Sequence, residues 1–226
     1  MNIKFAPSLM CMDLMNVQQQ IIILNKYCNY YHIDIMDGHF VKNLCLSIDF
    51  IKGLKNITNL PLDCHLMTTN PEEYINQLID IGVDCISLHV ETLNGQAFRL
   101  IEHIKQAGIK FGIVLNPETD INIAESYLHF VDLLTIMSVD PGFAGQKFII
   151  ESLDKVRRVR NLKNSKKYRY KIAVDGGCNE HTFRELTNAG TECFIVGGSG
   201  LFNLHSNIGT AYNMMLENYK KSCLVM

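Results

Sequence analysis

Eight times along its 226 residues the chain passes from a short aliphatic or β-branched run into a longer amphipathic stretch. Runs of period two bounded by turn residues read as strands, and apolar positions recurring every three to four residues read as helices. Strands are predicted near residues 3–8, 30–36, 62–67, 85–89, 110–115, 133–138, 171–175 and 193–196. Helices are predicted near 14–27, 48–55, 71–81, 96–107, 121–129, 149–162, 180–189 and 208–220. Gly82, Gly108 and Gly190 each stand between a helix and the next strand, where a C-terminal cap belongs. Asn70 reads as an N-cap, Pro71 as the first helical residue, and Glu72 and Glu73 as favourable first-turn charge. Eight βα units predict one (β/α)8 TIM barrel over residues 1–226, a little under the usual ~250 residues. A doubly wound open sheet is the alternative, but it has fewer units and gives no reason for polar side chains along the inner side of its strands.

That inner side carries the chemistry. In the run YYHIDIMDGHF at residues 30–40, His32, Asp34 and Met36 alternate with Tyr31, Ile33 and Ile35, so one face is polar and the other aliphatic. The third strand repeats the pattern: Asp63, His65 and Met67 face one way, Cys64 and Leu66 the other. A barrel of this kind places its site at the C-terminal ends of the strands. There the sequence offers Ser8, His32, Asp34, His65, His89, Asn116 and Asp175. His32, Asp34, His65 and Asp175 make a two-nitrogen, two-oxygen set suited to one divalent ion, Zn, Co, Mn or Mg, with coordination positions left for a substrate. Each residue alone reads better as a hydrogen-bonded interior group; buried together without a cation or dense hydrogen bonding they are costly, and jointly they read as a metal site. Asp63 lies two residues deeper and reads as hydrogen-bonding support rather than a ligand. His89 and Asn116 either face a substrate or fill the interior layer.

Two glycine-rich turns follow the last two strands, Asp175-Gly176-Gly177 and Gly197-Gly198-Ser199-Gly200. Glycine lets backbone N–H groups approach an anion, and barrels often hold phosphate after strands 7 and 8. Neither turn contains Lys or Arg, so a phosphate there would rest on amides and the Ser199 hydroxyl; tight left-handed turns are the alternative. The loop at residues 140–146, DPGFAGQ, joins two flexible points to an apolar tip and reads either as a closing lid or as an ordinary connection.

Composition narrows the setting. A formal charge of -2 argues against nucleic-acid or anionic-membrane surfaces. No apolar run reaches the roughly 18 residues of a membrane span, and no signal-peptide core opens the chain, so a cytoplasmic protein is expected. Cys45, Cys64, Cys85 and Cys193 sit in or beside apolar strands and read as free buried thiols. The terminal Cys223-Leu-Val-Met matches a prenylation pattern but is permissive enough to arise by chance.

Taken together and in order, HIDIMDGHF, LDCHLM, MSVDPGFAGQ, VDGG and VGGSGLF resemble the ribulose-phosphate 3-epimerase family from Ala6 to the last helix. Within it, SLMCMDL at residues 8–14, the Cys64 of LDCHLM and ETLNGQAFRLI at residues 91–101 are similar to the D-allulose-6-phosphate 3-epimerase branch. The resemblance implies inversion at C3 of a ketose phosphate through an enediolate, D-allulose 6-phosphate to D-fructose 6-phosphate. It implies Asp34 and Asp175 as acid and base on opposite faces of the sugar, with one divalent metal held by His32, Asp34, His65 and Asp175. It implies substrate contacts from Ser8 and His65, from Gly142, Phe143, Ala144 and Gly145, and from Gly176 and Gly177, with phosphate at Gly197, Gly198 and Ser199. Met36, Met67 and Met137 match positions lining the reaction plane, and a homo-oligomer is implied. Lys42 departs from the family's usual proline. The alternatives are D-ribulose 5-phosphate as substrate with the same residues, or a non-catalytic sugar-phosphate-binding barrel. An orotidine-phosphate-type decarboxylase would need an Asp-x-Lys-x-x-Asp array, and strand 3 has no lysine.

Overall fold

The computed structural model describes residues 3–224, so the last two residues of the Cys-Leu-Val-Met terminus lie outside the described residues. Eight parallel strands form one sheet: β1 (Lys4–Pro7), β2 (Tyr31–Met36), β3 (Leu62–Met67), β4 (Cys85–His89), β5 (Lys110–Leu115), β6 (Leu133–Met137), β7 (Lys171–Asp175) and β8 (Cys193–Val196). The order runs β1-β8-β7-β6-β5-β4-β3-β2, and a parallel bridge between Ser8 and His32 joins the two ends at the rim. The barrel is therefore a TIM barrel closed at the place where its polar residues gather.

Helices α1 (Val17–Leu24), α2 (Ile48–Lys55), α3 (Glu72–Ile81), α4 (Ala97–Gln106), α5 (Ser152–Lys166), α6 (Phe183–Ala189) and α7 (Ile208–Leu224) cover the outside. Their apolar faces meet the outward strand residues, among them Tyr31, Ile33, Cys64, Leu66, Phe111 and Ile113, in one continuous core. Burying each such aliphatic side chain contributes about 1.5–3 kcal/mol. A smaller cluster of Ala6, Cys85, Leu133, Ala173, Cys193 and Ile195 fills the barrel interior, with Ile195 reaching the pocket wall.

Three details differ from the sequence reading. The segment after β5 is a 3-10 helix, Ile121–Phe130, rather than an α-helix; Asp120 caps it through Asn122 N–H, and its buried positions still fall on one side. The α3 helix starts at Glu72 with Pro71 as its flanking residue, and the Asn70 side chain caps no backbone N–H; it reaches Glu73 Oε1 at 3.4 Å instead. The glycine turn after β8 is one π-helical turn, Gly198–Phe202. All eight cysteines are free, and Cys223 sits half-buried at the end of α7. Among the described residues no helix is long and apolar enough to cross a membrane.

Candidate active site

Strand register assembles the site. His32 pairs with Asp63 and Asp34 with His65 across β2 and β3, and His65 pairs with Ser87 on β4. On β7, Asp175 pairs with Met137. One donor atom from each of His32, Asp34, His65 and Asp175 lies within 4.8 Å of the others. His32 Nε2 is 3.2 Å from His65 Nδ1, 3.4 Å from Asp34 Oδ1 and 3.7 Å from Asp175 Oδ2. His65 Nδ1 is 3.3 Å from Asp34 Oδ1 and 3.8 Å from Asp175 Oδ2. Both imidazoles are fully buried, while the Asp175 side chain keeps 16% of its surface open to the mouth.

Two carboxylates this close cannot share one protonation state. Burial opposes ionisation of Asp34, but the His32 charge and hydrogen bonds from His32 and His65 hold it well below the usual carboxylate range. Burial pushes Asp175 up to about 6; the Asp34 charge adds to this and His32 opposes it. Although burial disfavours a charged imidazole, the Asp34 carboxylate and the hydrogen bonds to Asp34 and Asp63 hold His32 well above its ordinary value. The cluster thus calls for positive charge at its centre, which a proton on His32 or a divalent cation supplies. Two imidazole nitrogens and two carboxylate oxygens facing one point fit such a cation.

Hydrogen bonds beneath the four donors hold them in place. Ser8 Oγ donates to Asp34 Oδ2 at 2.7 Å, which turns Oδ1 toward the imidazoles. Asp63 Oδ2 lies 2.8 Å from His32 Nδ1, and Asp63 Oδ1 accepts from Ser87 Oγ at 2.6 Å. Asp63 is therefore support for His32, as its deeper position implied. His89, left open by the sequence, does not line the pocket; its Nε2 is 2.8 Å from His65 Nε2 and its Nδ1 is 3.3 Å from Glu91 Oε2. Burial pushes His89 down to about 4. Glu91 sits at about 2: burial opposes its ionisation, and hydrogen bonds from His89, Thr119 and Asn116 N–H outweigh that. Ser87 escaped the sequence reading, although alternation along Cys85, Ser87 and His89 would have placed it on the inner face, and Glu91 entered it only as the start of ETLNGQAFRLI.

Above the cluster opens a pocket lined by Ser8, Asp34, Asp175, Gly142, Phe143, Ala144, Gly145, Gly176, Gly177, Gly197, Gly198 and Ser199. Met67 and Met137 line it too; Met36 lies behind them, packed with Val41 and Met67, and His65 has no exposed surface. Asp140 and Gln146 of the 140–146 loop line it as well, and Met10, Cys11, Val139, Cys178 and Ile195, to which the sequence assigned no contact, complete the wall. No Lys or Arg is among the lining residues. Packing alone demands some of the glycines. A Cβ on Gly200 would stand 2.1 Å from the Cys178 carbonyl oxygen, and one on Gly176, at φ +102°, 2.5 Å from Val139 Cγ2. The 140–146 loop is tied down: Asn43 Nδ2 donates to Gly142 O at 2.7 Å and Gln146 Nε2 to Phe143 O at 3.0 Å, which leaves Phe143 half-exposed at the mouth. Lys42 is exposed and does not line the pocket, although Asn43 beside it holds Gly142 of the wall.

The family model of the ribulose-phosphate 3-epimerase family matches residues 4–202. The chain belongs to the ribulose-phosphate 3-epimerase family. It is 37% identical to the ribulose-phosphate 3-epimerase of Bacillus subtilis, over 87% of this chain and 91% of that one. It is 35% identical to the Aquifex aeolicus protein of the same name, over 87% and 88% of the two chains. Members of this family are isomerases, and the chain is accordingly an epimerase acting on a carbohydrate phosphate. Solved barrels show the same fold at low identity. The tryptophan synthase α-subunit of Pyrococcus furiosus aligns over all of this chain and 98% of its own at TM-score 0.68 and 15% identity. A 3-hexulose-6-phosphate synthase aligns over 97% and 99% at TM-score 0.65 and 14% identity.

Proposed function

We propose that the chain inverts C3 of D-ribulose 5-phosphate, using Asp34 and Asp175 as the two proton-transfer groups and His32, Asp34, His65 and Asp175 as ligands of one divalent metal. The observation that carries this is geometric: two inward carboxylates, Asp34 and Asp175, converge with His32 and His65 on one point, their donor atoms within 4.8 Å of one another, at the floor of one open pocket. Inversion next to a ketone removes a weakly acidic C–H proton from one side and returns one to the other, so one group must start ionised and the other protonated. Asp34 comes from β2 and Asp175 from β7, so they approach the pocket from separate strands. Ser8 fixes the orientation of Asp34, and Asp175 is the more open of the two toward the mouth. The bound cation would offset negative charge building on the ketone oxygen, a contribution of several kcal/mol. Met67 and Met137 offer polarizable sulfur without a proton to give. With no Lys or Arg in the lining, Gly197, Gly198 and Ser199 supply backbone N–H groups and a hydroxyl for the phosphate, and Asn179 Nδ2 positions Ser199 Oγ at 3.2 Å.

D-allulose 6-phosphate, one carbon longer, is the second reading. It rests on SLMCMDL, which contributes Met10 and Cys11 to the pocket wall. The other branch-like residues do not support it, since Cys64 faces the outer core and residues 91–101 line no part of the pocket. The names of the relatives favour the pentulose. Turnover of both sugar phosphates by metal-loaded protein decides the substrate: a higher kcat/KM for the hexulose phosphate overturns the pentulose reading. In deuterated water the enzyme should label C3, and Asp34→Asn or Asp175→Asn should abolish labelling with the fold intact. Labelling that survives in both variants removes the two-carboxylate assignment.

A further inference from the structure

We propose that Glu91, acting through His89, sets which nitrogen of His65 faces the metal, so that His89 and Glu91 are positioning residues of this centre. The inference rests on the metal-ligand reading above. His65 Nδ1 is the nitrogen on the side of the donor cluster, 3.3 Å from Asp34 Oδ1 and 3.8 Å from Asp175 Oδ2. The other, Nε2, points away and meets His89 Nε2 at 2.8 Å. Two ring nitrogens at that separation share a single proton: two would collide, and none would leave two lone pairs facing. A ligating nitrogen presents its lone pair, so a neutral His65 bound through Nδ1 carries its proton on Nε2 and donates it to His89.

His89 then accepts at Nε2 and holds its own proton on Nδ1, which faces Glu91 Oε2 at 3.3 Å. A carboxylate can only accept, so Glu91 ends the chain and fixes its direction. Its other oxygen takes the Asn116 N–H at 2.9 Å and the Thr119 hydroxyl, which anchors Glu91 to the loop after β5. The two imidazoles stack with centroids 4.9 Å apart and are fully buried, so no water competes for the shared proton. His32 reaches its supporting carboxylate, Asp63, directly; His65 reaches one through an intervening ring. Without that ring His65 is free to place its proton on Nδ1, the nitrogen the cation needs.

The test is Co2+ affinity of the full-length protein, measured by competition with a chelating dye, beside the visible Co2+ spectrum. His89→Phe removes the acceptor and should lower affinity about 10–100-fold and change the spectrum. His89→Gln, whose amide oxygen can accept from Nε2–H, should recover most of the loss. Glu91→Gln brings a donor against either the Asn116 N–H or the His89 Nδ1–H whichever way its amide turns, and should weaken binding in the same direction even if His89→Phe fails to fold. Unchanged affinity in the folded His89 and Glu91 variants overturns the relay. His65→Ala separates the two ideas: if it binds Co2+ as tightly as the unaltered protein, the ligand assignment falls and the relay with it. If His65→Ala loses the ion while the relay variants keep it, only the relay is overturned.

Discussion

Gly112 is the position at which a single added methyl should reach furthest into the site. It lies on β5 opposite Ser87 of β4. A Cβ there would stand 2.2 Å from Ser87 Oγ, 3.0 Å from Ser87 Cβ and 3.1 Å from Ser87 Cα. Rotating the hydroxyl away relieves the first contact but breaks its 2.6 Å hydrogen bond to Asp63 Oδ1, and the other two contacts remain. Leaving that buried carboxylate oxygen without a partner costs about 1–3 kcal/mol. Overpacking against the β4 backbone costs about 1–3 kcal/mol more. Gly112→Ala should therefore destabilise the protein by roughly 2–6 kcal/mol, and Tm should fall by roughly 5–20 °C at about 2–4 °C per kcal/mol for a chain this long. A double-mutant cycle with Ser87→Ala isolates the cause. With the hydroxyl already gone, the closest contact and the hydrogen bond are no longer there to lose, so the two costs should fall short of additivity by about 1–3 kcal/mol in urea unfolding. Equal costs of Gly112→Ala in both backgrounds, or a cost under about 1 kcal/mol, would refute the chain Gly112, Ser87, Asp63, His32 as drawn.

Other outcomes follow from the same geometry. Gly200→Ala sets a methyl 2.1 Å from a backbone carbonyl that no side-chain rotation can move, so the turns after β7 and β8 must part; KM for the sugar phosphate should rise several-fold more than kcat falls, and an unchanged KM would count against a phosphate site there. Burial lowers His89 from an ordinary 6.5 to about 4, so at this residue the unfolded chain binds more protons between those values; the stability His89 contributes above about pH 6.5 should be lost as pH falls, by up to ~3 kcal/mol near pH 4, while Asp175, raised to about 6, works the other way. His89→Gln should flatten that decline in urea midpoints between pH 7 and 4.5, and identical slopes would contradict it. Stripping metal with a chelator should abolish turnover and lower Tm, since an ion at 100 times its Kd contributes about 2.7 kcal/mol, and added Co2+ should restore both; a chelator-treated enzyme of full activity would end the metal reading.

What could be read from the sequence was whatever the two periodicities carry. Alternation along β2 and β3 alone puts His32, Asp34, Asp63 and His65 on the inner face, because a strand reverses its side chains at every residue whatever surrounds it. The strand positions came through almost unchanged for the same reason, whereas the 3-10 segment 121–130 did not: apolar positions at three-residue spacing suit either helix, and the choice between them lies in tertiary packing. Register is the larger gap. Nothing local says that His65 stands beside Ser87 or that Ser87 faces Gly112, since each pairing depends on how far neighbouring strands slide past one another around the barrel. Asp63 apart, the support of the site belongs to that hidden layer. Ser87 and Glu91 look like ordinary residues of a strand and the turn after it, and His89 stays open between two roles, until strand register sets Ser87 beside His65 and His89 against its ring. The groups facing the pocket are thus legible as a row, and of those that fix their tautomers only Asp63, on the same strand as His65, is legible before the rows are set side by side.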